Sequence, residues 1–197
     1  MATDERALVQ RLQDGDEAAF AEVVESYHPR LLRFAAGLVG SWAAAEDVVQ
    51  DTWVAVIRGV ERFEGRSSLQ TWLFQICSNR ARSAWTKQQR TIPVDTSEPT
   101  VDPSRFGADS AWVQPPEPWD AVDDRLVADA VVPLVRMAIE DLPDLQRQVV
   151  TLRDVEGLSS KDVCEVLAIS EANQRVLLHR GRAKVRHALE QKLEGRP

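Results

Sequence analysis

The stretch Leu69–Arg90, LQTWLFQICSNRARSAWTKQQR, is the part of the chain that decides its fold. Wound as an α-helix, it places apolar side chains on one face at positions 69, 72, 73, 76, 77, 81, 84 and 85. This period of about 3.6 residues predicts a helix with a packed back. The opposite face is polar and cationic, and the stretch contains no carboxylate. Phe74 falls on that polar face, so it is predicted either to pack under the preceding loop or to offer a platform for an unpaired base.

Two functions fit this polar face. Arg, Lys and amide side chains bind phosphates and base edges, so the face can be a nucleic-acid surface. A charged helix face is more often simply hydrated, and the pattern of this stretch alone leaves both interpretations open.

The composition excludes several classes of protein. The chain has 197 residues, of which 44% are hydrophobic, and it predicts one globular domain or two small ones. No apolar run approaches the roughly 18 residues that suggest a membrane span, and the N-terminus lacks the basic start and apolar core of a signal peptide. We therefore expect a cytoplasmic protein in which Cys77 and Cys164 are buried free thiols. Without clustered Cys and His, the sequence predicts no metal and no cofactor.

The net charge of −7 is concentrated in the middle of the chain. Residues 91–140 carry ten Asp and Glu against three Arg, whereas the parts before and after this segment are close to neutral. Because nucleic-acid binding depends on local charge, the acidic total does not exclude it.

Residues 1–90 predict a compact helical domain. Apolar periodicity and turn signals place helices at 5–13, 17–27, 31–39 and 42–60, before the helix that begins at Leu69. Asp16 is a predicted N-cap, and His28-Pro29 is a predicted junction between two helices. Short connections between such helices are typical of a helical bundle.

Residues 91–120 have a different composition. Six of the ten prolines lie here and the apolar periodicity disappears, which predicts an acidic Pro-rich linker. Trp112 and Trp119 predict either a docking contact or simple packing on a neighbouring domain. Residues 121–197 form the second predicted domain. The predicted fold class is therefore all-α, with two small helical domains on either side of the linker.

The second predicted domain contains a helix-turn-helix pattern. A helix from Asp144 to Val155 ends at Gly157, and Ser159-Ser160-Lys161-Asp162 is a capping-box-like start of a short helix. Ala168-Ile169-Ser170 forms a tight turn, in which Ser170 is the predicted N-cap of a long basic helix. Two helices joined in this way are typical of a DNA-binding module. A helical hairpin with no role in DNA binding remains the alternative.

Two sets of residues lie in these domains in a fixed order. The first set is Ala45-Glu46-Asp47-Val48-Val49-Gln50-Asp51, Phe63, Gly65, Ser67, Thr71-Trp72-Leu73, Ile76 and Asn79. The second set is Leu142-Pro143, Gln146-Arg147, Gly157-Leu158-Ser159, Ile169-Ser170-Glu171 and Leu178-His179-Arg180. They resemble the second and fourth conserved regions of bacterial RNA polymerase sigma factors of the sigma-70 family, and most closely its extracytoplasmic-function (ECF) group. No segment resembles the third region, whose absence is typical of this group.

The resemblance implies a polymerase contact and a minus-ten promoter surface. The helix at 42–60 is expected to dock on the clamp of the polymerase β′ subunit through Asp47, Gln50 and Asp51. The loop 64–69 and the polar face after it are expected to hold the minus-ten element, whose melting requires one base to leave the stack. The residues expected there are Ser67, Ser68, Leu69, Thr71, Trp72, Asn79, Arg80, Arg82, Ser83, Lys87 and Arg90.

The last helix is expected to enter the major groove of the minus-thirty-five element. The residues expected at that DNA are Ser170, Glu171, Asn173, Gln174, Arg175, His179, Arg180 and Arg182. The family usually has Gly where Ala168 stands and Arg where Leu177 stands. We therefore expect one phosphate contact fewer at Leu177.

The resemblance also implies a role for the linker, which in the family threads the polymerase cleft toward the RNA exit path. An acidic segment repels DNA and suits a cationic channel. Shortening or neutralising residues 91–120 is expected to lower the yields of abortive and full-length transcripts while promoter DNA binding stays intact.

The function implied is that of a transcription initiation factor that is not an enzyme. Its implied partners are core RNA polymerase (the β′ clamp and the β flap), promoter DNA and an anti-sigma factor, with no small-molecule substrate. The alternative is a two-domain helix-turn-helix regulator that acts without replacing the resident sigma factor. It explains the C-terminal pattern equally well, but not the carboxylate-free face of residues 69–90. A DNA-acting enzyme has no supporting residues in the sequence, which offers no nucleophile–base pair and no phosphate-binding glycine loop.

Overall fold

The computed structural model describes residues 3–88 and 124–194, and every regular element in these two ranges is a helix. The helices are α1 (Thr3–Gln13), α2 (Glu17–Val39), α3 (Trp42–Gly59), α4 (Leu69–Gln88), α5 (Asp124–Glu140), α6 (Asp144–Val150), α7 (Ser160–Leu167) and α8 (Glu171–Glu194). A 3-10 turn at Val60–Arg62 follows α3, and a π-helical turn at Thr151–Val155 follows α6. The predicted all-α fold class is therefore confirmed for these ranges.

The described residues form two compact units. The first contains residues 3–88 and 152–174, and the second contains residues 124–151 and 175–194. The predictions for the linker, including Trp112 and Trp119, lie outside the described residues. The domain boundaries drawn at 90 and 120 lie there too, and they stay predictions.

The core of the first unit lies where α2, α3 and α4 pack against one another. The Asp16 carboxylate accepts hydrogen bonds from Ala18 N at 2.9 Å and Ala19 N at 3.1 Å, which confirms the predicted N-cap of α2. The side chains between the three helices are almost fully buried, and they include Val23, Leu31, Phe34, Ala35, Val48, Val49, Val56, Leu73 and Cys77. This packing fixes the orientation of α4.

The predicted junction at His28-Pro29 is wrong, because α2 runs unbroken through Pro29. Proline lacks an N–H and therefore leaves the carbonyl of Glu25 without its helical partner. Both residues are exposed, so water can satisfy that carbonyl. The buried positions on either side of Pro29, among them Val23 and Leu31, keep both halves of the helix on the core.

The first unit also contains the helix-turn-helix segment as far as Gln174, and its helix α7 packs against α4. Gly157 has a φ of +72°, a left-handed conformation that suits glycine and ends the preceding helical turn as predicted. Ser159 Oγ accepts from Asp162 N at 3.1 Å and so caps α7. Ala168 ends α7 with a φ of 55°, the single non-glycine residue of the described ranges in the left-handed region.

The second unit is formed by α5, α6 and the part of α8 that follows Gln174. Gly181 of α8 allows a close approach of α6, because a Cβ atom at this position would lie 2.5 Å from Val150 Cγ2. Val150 is 3% exposed, so a core side chain occupies the space that a side chain at position 181 would need. The two helices can pack backbone to side chain only because residue 181 has no Cβ.

Candidate nucleic-acid interface

The polar face that the periodicity of α4 predicts is only partly exposed. Phe74 is completely buried and meets Phe34 of α2 edge to face, with 5.2 Å between the ring centroids. Of the two interpretations of Phe74, packing is correct, although its described partner is a helix of the core and not the preceding loop. The interpretation of Phe74 as a platform for an unpaired base is wrong.

Two residues expected at the minus-ten element are buried at the start of α4. Leu69 and Thr71 are each 1% exposed, so neither side chain offers a surface to DNA in this structure. Leu69 belongs to the packed back of the helix. Thr71 takes part in the N-terminal cap, since Ser68 Oγ accepts from Thr71 N at 3.0 Å and lies 2.8 Å from Thr71 Oγ1.

The loop before α4 has an exposed tip and half-buried serines. Glu64 and Arg66 are exposed and form an ion pair with each other. Gly65 between them has a φ of +68°, which lets the chain turn sharply here. Ser67 and Ser68, both expected to meet the minus-ten element, are half-buried where the loop enters the helix.

Trp72 is half-buried and lies beside the same loop. Its ring packs on Phe63, with 4.8 Å between ring centroids and 36° between ring planes. A Cβ atom built on Gly59 would lie 3.4 Å from Trp72 Cζ2, so the end of α3 also borders the indole. Trp72 is therefore held in one orientation by Phe63 and Gly59.

Arg82, also expected at the minus-ten element, is engaged within the chain. Its Nη2 donates to Val166 O of α7 at 2.7 Å and to Ser78 Oγ at 2.9 Å. The helix α7 packs against α4, and Ser78 of α4 is only 1% exposed. Sequence reasoning placed Arg82 on the correct face but could not foresee the helix that lies over it.

Glu156 adds a second polar contact between the helix-turn-helix segment and the helices of the core. Its carboxylate accepts from Arg30 Nε at 2.6 Å, and its backbone carbonyl accepts from Gln70 Nε2 at 2.8 Å. The Glu156 side chain is 4% exposed, and the ion pair with Arg30 compensates the burial of its charge. The sequence showed Glu156 only as part of a helix stop, and no local signal could have paired it with Arg30.

The remaining residues expected at the minus-ten element differ in how far the structure describes them. Asn79, Arg80 and Ser83 are exposed on α4 and lie within one turn of one another. Lys87 lies within α4, but its side chain lies outside the described residues, as does the whole of Arg90. The exposed patch of Asn79, Arg80 and Ser83 is thus what the structure offers for phosphate and base contacts on this helix.

The residues expected to contact the polymerase form an exposed face of α3. Asp47, Gln50 and Asp51 are all exposed. Sequence reasoning missed two apolar residues beside them, Val54 at 41% exposed and Ile57 at 60% exposed. The signal was their spacing, since positions 47, 50, 54 and 57 fall on one side of a helix. An apolar patch edged by carboxylates is typical of a protein contact and not of a DNA contact.

The candidate residues of α8 are mostly exposed. Exposed positions are Ser170, Glu171, Asn173, Arg175 and Arg182, and half-buried ones are His179 and Arg180. Ser170 Oγ accepts from Asn173 N at 3.2 Å and confirms Ser170 as the N-cap. Burial, and then the neighbouring Arg180 and Arg182, lower the pKa of His179, which disfavours its charged form.

One prediction for α8 needs correction. Gln174 was expected at a base edge, but it is 3% exposed and its Oε1 accepts from Ser160 Oγ of α7 at 2.8 Å. Gln174 therefore binds the two helices of the motif to each other. Leu177, where one phosphate contact fewer was expected, is 5% exposed and belongs to the core. A buried leucine offers no contact to a phosphate, and the comparison with the family's Arg stays a prediction.

Both cysteines are free thiols. Cys77 is buried as predicted, and this burial raises the pKa of its thiol to about 12. Cys164 is only half-buried, so its predicted burial is wrong. Among residues 3–88 and 124–194, no group of His, Cys, Asp and Glu is arranged to hold a metal ion. None of the helices in these ranges combines the length and the apolar character needed to cross a membrane.

An all-α chain with a capped helix-turn-helix and exposed Arg and Asn on its second helix belongs to the class of helix-turn-helix proteins. Models of two conserved family regions match it in order: Sigma-70 region 2 at residues 23–91 and Sigma-70 region 4 at residues 134–185. The chain is 30% identical over 186 residues to the RNA polymerase sigma-H factor of Pseudomonas aeruginosa, and the match covers 94% of each protein. The chain therefore belongs to the sigma-70 family of RNA polymerase sigma factors.

Further relatives place the chain in the ECF group. It is 28% identical over 190 residues to the ECF RNA polymerase sigma-E factor of Haemophilus influenzae, covering 94% of this chain and 95% of that protein. Among solved structures, it shares its fold with CnrH in complex with the cytosolic domain of CnrY (TM-score 0.57, 21% identity, 95% of this chain and 97% of that one). It also shares its fold with the sigma factor RpoE of Bartonella quintana in complex with the anti-sigma factor NepR (TM-score 0.56, 22% identity, 87% and 96% covered). The chain is an alternative sigma factor of the ECF group.

Proposed function

We propose that this chain binds core RNA polymerase, brings it to promoters through minus-ten and minus-thirty-five elements, and promotes melting of the promoter. The observation that carries the proposal is the presence of both conserved regions in one chain, in the order that sigma factors have them. A regulator with a single helix-turn-helix domain does not account for the first of these regions.

The polymerase contact is assigned to the exposed face of α3. Asp47, Gln50 and Asp51 supply acceptors and an amide, while Val54 and Ile57 supply apolar area that gains free energy when it leaves water. A clamp surface with basic residues, as the resemblance implies for the polymerase β′ subunit, would complement the two carboxylates of this face. The β flap is the second proposed polymerase contact and is implied by the family alone.

The minus-ten contact is assigned to the loop at 64–68 and to the exposed patch of α4. The half-buried serines Ser67 and Ser68 can hydrogen-bond an unpaired base, and Arg80 can bind a phosphate. The minus-thirty-five contact is assigned to the first turns of α8. There Asn173 and Arg175 are exposed, and both residue types bind base edges in the major groove.

The activity is proposed to be that of a cytoplasmic, non-enzymatic initiation factor held inactive by an anti-sigma factor. The support is the family and the two solved relatives, each described in a complex, one of them explicitly with an anti-sigma factor.

Run-off transcription with purified components tests the proposal. The chain is added to core polymerase freed of its resident sigma factor, with fragmented chromosomal DNA of the source organism as template. Specific transcript starts are expected, each preceded by a shared pair of promoter elements. A double variant with Asp47→Ala and Asp51→Ala should bind core polymerase more weakly. The control variant Asp14→Ala should bind core polymerase like wild type. Transcripts that appear only when the resident sigma factor is added back would support the helix-turn-helix regulator instead.

A further inference from the structure

We propose that α1 is a positioning element for the loop 64–68, and that Glu5 and Gln13 fix the two ends of this loop for an unpaired promoter base. The inference rests on the proposed function. The family-model match to region 2 begins at residue 23, so α1 lies outside the matched segment. No role for α1 was predicted from its sequence.

Glu5 holds the end of the loop that enters α4. The backbone N–H of Leu69, the first residue of α4, donates to Glu5 Oε1 at 2.7 Å. The first N–H groups of a helix have no partner within the helix, and they favour a nearby negative charge. Ser68 satisfies the N–H of Thr71, and Glu5 satisfies that of Leu69. The start of α4 is thus fixed partly from within and partly by a helix distant in sequence.

Gln13 holds the end of the loop that leaves α3. Its Nε2 donates to Val60 O at 3.2 Å and to Phe63 O at 3.0 Å, so a single amide group uses both of its N–H donors. Phe63 is 8% exposed and its ring packs on Trp72. Gln13 therefore fixes Phe63 directly and the indole of Trp72 through it.

The two anchors belong to one face of α1. Between Glu5 and Gln13 the residues Val9 and Leu12 are 5% and 2% exposed and pack α1 onto the rest of the unit. Positions 5, 9, 12 and 13 follow helical spacing, so one face carries a polar anchor at each end and an apolar contact between them. A docked helix is a more rigid support than the loop itself.

The anchoring leaves the middle of the loop available. Glu64 and Arg66 are exposed, and Ser67 and Ser68 are half-buried, whereas the hydrogen bonds from α1 reach only the residues on either side. A loop that is already ordered at both ends loses less conformational entropy when it closes on a ligand. Glu5 and Gln13 therefore raise the affinity for a single-stranded base without touching it.

The test uses holoenzyme assembled from core polymerase and the full chain. Its probe is a fluorescent single-stranded oligonucleotide with the non-template minus-ten sequence of a promoter found by run-off transcription. Glu5→Ala and Gln13→Ala are each expected to weaken binding about tenfold, the effect of losing one or two well-placed hydrogen bonds. Glu5→Gln keeps an acceptor and should bind within about threefold of wild type, because only its charge is lost. Gln13→Glu has no N–H to donate, so it should bind as weakly as Gln13→Ala.

Three controls separate positioning from a general loss of fold. Gln10→Ala changes an exposed residue of α1 that bonds only to the exposed Asp14, and it should bind the probe like wild type. Core polymerase affinity and binding to duplex minus-thirty-five DNA should stay unchanged in every variant. If circular dichroism shows that an alanine variant is unfolded, the other two variants test the inference. Glu5→Gln should bind the probe nearly like wild type, whereas Gln13→Glu should bind it weakly.

Two results would overturn the inference. One is wild-type probe affinity in folded Glu5→Ala and Gln13→Ala, and the other is a parallel fall in core, duplex and probe binding. A wild-type chain that gives no specific transcripts would instead overturn the proposed function, and the inference with it. The two failures are distinguishable because the second appears before any variant is made.

Discussion

The helices α4 and α8 carry the candidate DNA residues, and they expose them to different extents. Of the residues expected at the minus-ten element on α4, Leu69 and Thr71 are buried and Arg82 is hydrogen-bonded to α7. On α8, most of the candidate residues are exposed, and Gln174 is the one that is buried. The sequence of α4 is cationic and carboxylate-free, yet α8 exposes more of its candidate residues.

The difference follows from how many neighbours each helix has. The helices α2, α3 and α7 all pack on α4, so it has little face left for solvent. Polar residues such as Thr71 and Ser78 are then buried with hydrogen-bond partners, because unpaired burial would be costly. A polar pattern marks an exposed face only when the helix packs on one side.

The largest effect is expected for Phe74→Ala, which attacks the buried side of α4. Loss of an aromatic ring from a fully packed site lowers the free energy of unfolding by about 3–5 kcal/mol. Thermal unfolding followed by circular dichroism measures it, with the exposed Asn79→Ala as the control, for which about 0.5 kcal/mol or less is expected. Equal melting curves for the two variants would show that Phe74 is not a core residue.

Gly181→Ala tests the packed side of α8 in the second unit. Alanine favours a helix interior over glycine, yet its Cβ would lie 2.5 Å from Val150 Cγ2. We expect a net destabilisation of about 1–3 kcal/mol from the forced shift. Glu190→Ala on the exposed side of α8 is the control. An increase in stability would mean that α6 moves aside without cost.

The variants Arg175→Ala and Gln174→Ala compare two neighbouring residues, of which the first is exposed and the second is buried. Arg175 is exposed, so its loss should weaken minus-thirty-five DNA binding by about 1 kcal/mol and reduce the salt dependence of binding. Gln174→Ala should lower the melting temperature, because it leaves Ser160 without its partner. Fluorescence anisotropy at two salt concentrations measures the first effect. The reverse assignment of the two effects would contradict the burial of Gln174.

The smallest effect is expected at the turn between α7 and α8. Ala168 has a φ of 55° and is exposed, so its Cβ costs free energy without making a core contact. Ala168→Gly should therefore stabilise the protein by about 0.5 kcal/mol, the strain relieved being partly offset by the greater freedom of the unfolded chain. Ala21→Gly within α2, at an ordinary helical position, should destabilise by about 1 kcal/mol. Chemical unfolding resolves the two signs.

The sequence predicts helices here better than it predicts their faces. Caps at Asp16, Ser159 and Ser170 depend on neighbouring residues only, and all three were recognised. The junction expected at Pro29 failed because packing of α2 on both sides overrides the local cost of proline. The helical periodicity placed Phe74 on the polar face, whereas the structure buries it, since the ring that covers it belongs to another helix.

Part of the candidate site could not be predicted because its contacts are long-range. Glu5 with Leu69, Gln13 with Phe63 and Arg30 with Glu156 join residues that no local pattern relates. The exposed acidic face of α3 was predictable, since Asp47, Gln50 and Asp51 alternate with buried valines. Motif spacing thus identified surfaces, whereas the residues that hold those surfaces in place required the fold.

The hydrogen bonds of Arg82 couple the binding of a phosphate to the packing of α7 on α4. A phosphate that recruits this guanidinium replaces its bond to Val166 O, so part of the attraction is offset by the bond that is lost. Such coupling is reciprocal. An anion bound to Arg82 weakens the packing of α7 on α4, and this packing weakens the binding of the anion by the same free energy. Salt that screens the attraction between Arg82 and a phosphate therefore also favours the docking of α7.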